Sequence, residues 1–301
     1  MMKKIKNLIE YFQYLKNPIE ALQLKFGIKK ECEIKIKNTN YSIILNNVKA
    51  LNHLMILLPT TVVEKYPDLI NYINDINSDN QVTEIDNIKY VNIYNEEFIK
   101  THPKEYYICI EEYFRDDQWD MINIKNKNVI DIGANNADTA LYFAKNGANV
   151  IAFEPVKHLY ELGLENINLN PQLKDKIQFI NKAVGAKKGV LNISTGSMKG
   201  YVDKNDSYEI EVITIDDVLN EYNFPCDVLK MDCEGCEFEI IENYDLSKFN
   251  EIIFEHHAYI VEKDCKPLID ILKEQNFKIQ TYPCNSSNRT FEEIGLIYAC
   301  K

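Results

Sequence analysis

Several classes of protein are excluded by what this sequence lacks. No window approaches the roughly 18 consecutive apolar residues that a membrane-spanning helix needs. The most apolar stretch, 51–58, is broken by Asn52 and His53 and stopped by Pro59. The amino terminus is basic at Lys3, Lys4 and Lys6, then amphipathic, and acidic by Glu10, so it lacks the unbroken apolar core of an export signal. Basic residues are in the minority, 34 Lys and Arg against 46 Asp and Glu, and the resulting formal charge of −12 argues against neutralising a phosphate backbone as the main task. Nucleic acid is therefore not an expected partner. The eight cysteines are scattered rather than framed at disulfide spacings, which together with the missing export signal leads to an expectation of reduced thiols and a cytoplasmic location. Neither an internal repeat nor a low-complexity linker is present. With 46% hydrophobic residues the chain is too apolar for disorder.

At roughly 150 residues per domain, 301 residues suggest about two domains. In the first third, apolar residues recur at helical spacing over 1–30 (Ile5, Leu8, Ile9, Phe12, Leu15). Alternation over 33–45 about Asn38-Thr39-Asn40 predicts a hairpin. Helices follow near 47–58 and 62–76, then short strands within 81–100. From residue 128 the pattern becomes strand–helix alternation, with strands at 129–132, 150–153, 177–183, 209–213, 228–231 and 252–254. That alternation predicts an α/β fold with a mostly parallel, doubly wound, Rossmann-like sheet. The last two strands, 277–282 and 295–300, have no helix between them and should form an antiparallel edge pair. The expected division is an α+β extension over 1–115 and a cofactor-binding domain over 116–301.

Three strand ends carry the chemistry. The first is Asp131-Ile132-Gly133-Ala134-Asn135-Asn136-Ala137, where Gly133 lets the backbone approach a ligand and a helix start presents free N–H groups. A nicotinamide fingerprint needs a second glycine where Asn135 stands, so a dinucleotide oxidoreductase fits poorly. An acid inside the turn suits a cationic ligand, such as the sulfonium and ammonium of S-adenosylmethionine. The plain alternative is that Asp131 and Asn135 only cap the helix. The second strand end is Glu154, 23 residues beyond Asp131, placed to accept hydrogen bonds from ribose hydroxyls. The third is Lys230-Met231-Asp232-Cys233-Glu234-Gly235-Cys236-Glu237, where Asp232 and Glu234 could act as a base or bind a substrate hydroxyl. Glu234 and Glu237 could equally just favour the helix start. Lys230 lies among apolar strand residues, and burying it needs a reason.

Taken together, Asp131-Ile-Gly-Ala-Asn, Phe153-Glu154-Pro155 and Leu229-Lys230-Met231-Asp232-Cys-Glu234-Gly235 resemble the FkbM family of S-adenosylmethionine-dependent methyltransferases. Asn181-Lys182-Ala183-Val184-Gly185 and Ile213-Thr214-Ile215-Asp216-Asp217 fit the same pattern, which covers about 105–301. The resemblance implies O-methylation of a hydroxyl on a sugar, glycan or secondary metabolite. It also implies S-adenosyl-L-methionine as cofactor, with Asp131, Gly133, Asn135, Glu154 and Ala183 on the cofactor and Asp232, Glu234, His257 and Lys230 at the chemistry. Of the adjacent His256 and His257 only one should point inward, by strand alternation, and His257 is favoured by the family's acid-then-His ending. One departure stands out: the family has Gly where this chain has Ala137, and a methyl there would narrow the cofactor pocket.

Other readings compete. Cys233 and Cys236 with the two histidines could form a Cys2His2 zinc site, but the gap of 20 residues is too long for a finger and adjacent histidines rarely share an ion. Asp232 and Glu255 could take Mg²⁺. No metal is assigned. The polar stretch 195–208 reads as a solvated loop or a lid over the acceptor. A non-catalytic binding module on a methyltransferase fold is the alternative function, motivated by Ala137 and the extra amino-terminal third.

Overall fold

In a computed structural model of the chain, the described residues are 9–59, 61, 63–91, 113, 119, 121–194, 207–222, 224–283 and 289–301. The chain falls into two compact units, Met1–Gln118 and Trp119–Lys301.

The first unit opens with helical residues 9–14 and α1 (Pro18–Lys25), followed by strands β1 (Cys32–Lys35) and β2 (Ser42–Leu45). The two strands form the expected antiparallel hairpin, burying Cys32, Ile34, Ile43 and Leu45 on one face. Helix α2 (Val48–Leu57) starts where the Asn47 side chain accepts hydrogen bonds from the Lys49 and Ala50 amides. Helix α3 (Tyr66–Asn77) buries Leu69, Tyr72, Ile73 and Ile76, the stripe that helical spacing prescribes. A second hairpin, β3 (Val82–Ile85) with β4 (Ile88–Val91), accounts for part of the strand stretch expected over 81–100. Residues 92–100 lie outside the described residues.

The second unit is the Rossmann-like α/β fold. Its strands are β5 (Asn128–Ile132), β6 (Asn149–Phe153), β7 (Ile177–Ile180), β11 (Val228–Met231), β12 (Glu251–His256), β13 (Lys278–Pro283) and β14 (Gly295–Cys300), in the order β13-β14-β12-β11-β5-β6-β7. The central pairs are parallel, whereas β14 runs antiparallel to both β12 and β13. Helices include α4 (Asp138–Lys145), α5 (Lys157–Leu169), α6 (Ile215–Glu221), α7 (Cys236–Asn243), α8 (Ala258–Val261) and α9 (Lys266–Glu274). Both faces of the sheet are covered, so β11 is buried at every position, and its one charged residue, Lys230, is buried with the rest.

The strand expected over 177–183 is two strands. β7 ends at Ile180, and β8 (Ala183–Val184) belongs to a separate three-stranded sheet with β9 (Gly189–Ser194) and β10 (Ser207–Ile213). The break occurs at Asn181, whose side-chain amide donates to the Glu154 and Pro155 carbonyls and turns the chain out of the large sheet. Of the polar stretch expected as a loop or lid, 195–206 lie outside the described residues, while 207 and 208 already belong to β10.

Candidate active site

Four neighbouring strands, β6, β5, β11 and β12, end on one edge of the sheet, and their carboxyl ends bring the predicted residues together. The chain order reverses between β5 and β11, the crevice where open sheets place ligands.

At the end of β5, Gly133 has φ +77°, and a Cβ there would collide with the Asp232 carbonyl oxygen. Only glycine fits. Asp131 is fully buried and its charge is already matched: Lys230 Nζ lies 2.9 Å from Oδ1, and the Thr139 hydroxyl donates to Oδ2 at 2.6 Å. Lys230 also donates to the Gly133 carbonyl at 3.0 Å and sits over the Trp119 ring. Burial opposes the charge on Lys230, but Asp131 and Asp232 override it and hold the ammonium above its ordinary pKa. The cationic partner of Asp131 is therefore this lysine, and the buried lysine's reason is this aspartate.

Glu154 is buried at the end of β6. Its carboxylate accepts from the Asn135 amide (2.8 Å) and the Val156 amide (2.7 Å), so it ties the glycine turn to its own strand end. Burial pushes this carboxyl up to about 8. Tyr208, with no role assigned from sequence, supports the same loop: its hydroxyl donates to the Pro155 carbonyl and accepts from the Lys157 amide. The buried side-chain oxygen Oδ1 of Asn135 has no hydrogen-bond partner among the described residues. Ala183 is buried at the start of β8, two residues past the Asn181 anchor.

Ala137 differs from the expectation. Its methyl is fully buried, so it lines no open pocket; what distinguishes the position is a left-handed backbone, φ +65°.

At the ends of β11 and β12 stand Asp232, Glu255 and His257. His257 Nε2 lies 3.4 Å from Glu255 Oε2 and 3.9 Å from Asp232 Oδ1. On its other side the His257 amide donates to Glu237 Oε1 at 2.8 Å, with Nδ1 3.3 Å from the same oxygen. Burial opposes the imidazolium, but Glu237, Glu255 and Asp232 together push His257 up to about 12. Burial, reinforced by Glu255, raises Asp232 to about 7. His256 is fully buried as well, packed edge-on against Phe291 at 5.0 Å. Asp232, Glu255 and His257 offer one donor atom each within 4.8 Å of one another, a spacing compatible with a divalent cation. The Cys2His2 zinc arrangement is not formed, because Cys233 and Cys236 are joined to each other in a disulfide. The expectation of reduced thiols thus fails at this pair; the turn between them brings their Cα atoms to 5.5 Å, within disulfide reach.

Residues 131–279 match the Methyltransferase FkbM domain family. This unit is an FkbM methyltransferase domain. The FkbM match leaves the dinucleotide oxidoreductase reading without support. The chain is also 26% identical over 176 residues to the methyltransferase sdnD of Sordaria araneosa, covering 45% of this chain and 67% of that protein. Among solved structures, methyltransferase FkbM from Methylobacillus flagellatus KT aligns with a TM-score of 0.45 at 14% identity, over 84% of this chain and 59% of that one. M. capricolum TrmK, solved in complex with S-adenosyl-homocysteine, aligns at 0.39 with 17% identity, over 59% of this chain and 64% of that one.

Proposed function

We propose that this FkbM domain is an S-adenosylmethionine-dependent O-methyltransferase acting on a hydroxyl of a small molecule or glycan. The observation that carries this reading is that Glu154, at the end of β6, and Asp232, at the end of β11, lie on one sheet edge on either side of β5, whose glycine turn packs against the Asp232 main chain.

The residues fit the cofactor. Gly133 lets the first strand end close tightly against the Asp232 main chain, Glu154 places a carboxyl group at the second strand end, and the Asn135 oxygen is a buried acceptor without a hydrogen-bond donor among the described residues. When bound, S-adenosylmethionine supplies an electrophilic methyl group that an acceptor oxygen displaces in line. Asp131 and Lys230 are positioning residues in this reading, because their ion pair and the Lys230–Gly133 hydrogen bond set the glycine turn.

Asp232 takes the proton of the acceptor hydroxyl as that oxygen attacks. Its raised pKa places it where a general base works best near neutral pH. His257, held as imidazolium, orients the Asp232 and Glu255 carboxylates rather than acting as the base. In this reading Glu234, two residues beyond Asp232 and left-handed in its backbone, contacts acceptor hydroxyls.

The test is calorimetric titration of the pure protein with S-adenosylmethionine, then transfer of a labelled methyl group across a panel of hydroxyl, amine and thiol acceptors. Saturable binding weakened by Glu154→Ala, with the label on oxygen, is expected. No binding, or label found only on nitrogen or sulfur, sinks the reading.

A further inference from the structure

One feature of the site plays no part in methyl transfer as described: the Cys233–Cys236 bridge. It spans the turn that carries Asp232 on one side and opens α7 on the other. Within it, Glu234 (φ +55°) and Gly235 (φ +119°) are both left-handed, a costly backbone for the glutamate that the closed ring helps to hold. Both cysteines are only half-buried, so small reagents can reach them.

The sulfurs lie next to the group that organises His257. Cys233 Sγ is 3.3 Å from Glu237 Oε2, which also accepts from the Gly235 amide at 2.9 Å. The other oxygen of Glu237 holds the His257 amide. A free Cys233 thiol has a proton to donate to Glu237, whereas a bridged sulfur has none. The state of the sulfurs therefore changes what the fully buried Glu237 carboxylate binds, and Glu237 is the positioning residue behind His257.

We propose that Cys233 and Cys236 form a redox-active dithiol/disulfide site that exchanges with low-molecular-weight thiols and disulfides of the glutathione class and sets the rate of the neighbouring chemistry. In oxidation, a thiolate of the pair attacks one sulfur of the small disulfide and expels its other half as a thiolate. The second cysteine thiolate then attacks the mixed disulfide, forms the Cys233–Cys236 bond and expels the remaining half. The protein gives up two electrons and two protons, and the small disulfide is reduced to two thiols. The bridged form keeps the Asp232–Glu237 turn closed and is the faster form; the dithiol form leaves it open and lets Cys233 draw on Glu237. The exchange stands on its own, while the rate effect rests on the methyl-transfer reading.

The experiment equilibrates the full-length protein in reduced/oxidised glutathione buffers of graded ratio. Differential alkylation with peptide mapping then reports Cys233 and Cys236 separately from the other cysteines, with methyl transfer and S-adenosylhomocysteine binding measured on the same samples. Expected is joint, reversible protection of the two cysteines as the buffer becomes oxidising. In parallel, kcat should rise by about fivefold, the effect of roughly 1 kcal/mol on the barrier. Cys233→Ser/Cys236→Ser should hold the reduced-form rate in every buffer. If the two cysteines stay alkylatable in excess oxidised glutathione, or form only mixed disulfides, the site proposal is overturned whatever the activity. If they oxidise jointly and kcat does not move, or if the double-serine variant still responds to the buffer, the rate coupling is overturned. Cofactor binding and joint protection without transfer to any acceptor would defeat the O-methyltransferase reading and the rate coupling, with the exchange site intact.

Discussion

Lys230 and Asp131 form an ion pair of 2.9 Å with side chains only 2% and 0% exposed, linking adjacent strands directly beneath the glycine turn. Removing one partner leaves the other as an uncompensated buried charge. Lys230→Met should therefore cost about 3–5 kcal/mol of unfolding free energy, measured by urea denaturation. The double variant with Asp131→Asn should regain part of that loss; a single variant within about 1 kcal/mol of the parent would show that water or rearrangement relieves the charge.

Asp232 must be ionised to accept a proton, and its pKa of about 7 means that the ionised fraction falls as pH drops below neutrality. The rate kcat/KM should therefore rise with pH along a limb centred near 7. Asp232→Asn should lower kcat by about 10²–10⁴ and remove the limb. A variant with parental kcat, or one that keeps the limb, would assign the base elsewhere.

Glu154 gives a different pH signature. Its carboxyl is held at about 8 in the fold against an ordinary 4.5, so the native state retains a proton that the unfolded chain releases across that interval. By linkage, this group makes the fold less stable as pH rises from about 4.5 to about 8. Glu154→Gln should flatten that part of the profile in thermal melts taken across the range. Ionisation also creates the better acceptor for ribose hydroxyls, so S-adenosylmethionine should bind more tightly above pH 8 in the parent and show no such gain in Glu154→Gln.

Ala137 holds a left-handed backbone without solvent exposure. Ala137→Gly should relieve the strain and stabilise the protein by about 0.5–1 kcal/mol, less the packing of one buried methyl. A loss of about 1 kcal/mol or more in chemical denaturation would mean that the methyl's packing dominates.

The strand ends were legible because their signals are local. A short apolar run ending in an acid and a glycine marks Asp131–Gly133, and the same logic finds Glu154 and Asp232. His257, just past the end of β12, is singled out by the family's acid-then-His ending rather than by alternation, since both histidines are buried. What stayed hidden depends on pairing between distant segments. Glu237 reads as an ordinary acid in a first helical turn, and only the β11–β12 register brings the His257 amide onto its carboxylate. Asp131 looks like a ligand for a bound cation until β11 is laid beside β5, when Lys230 takes that place. The break between β7 and β8 comes from an asparagine bonding to carbonyls 26 and 27 residues away, which no periodicity records.

The absent side chain of Gly133 has a consequence for how such a site can change. With backbone packed against backbone, the turn that would cradle the methyl donor and the turn that carries the proton acceptor share a single wall. A shift of either turn would be felt by the other, so in the proposed reading the gap across which the methyl group travels is set by main-chain contact. A preference for new acceptors would then arise from the segments that roof the crevice, leaving this wall untouched.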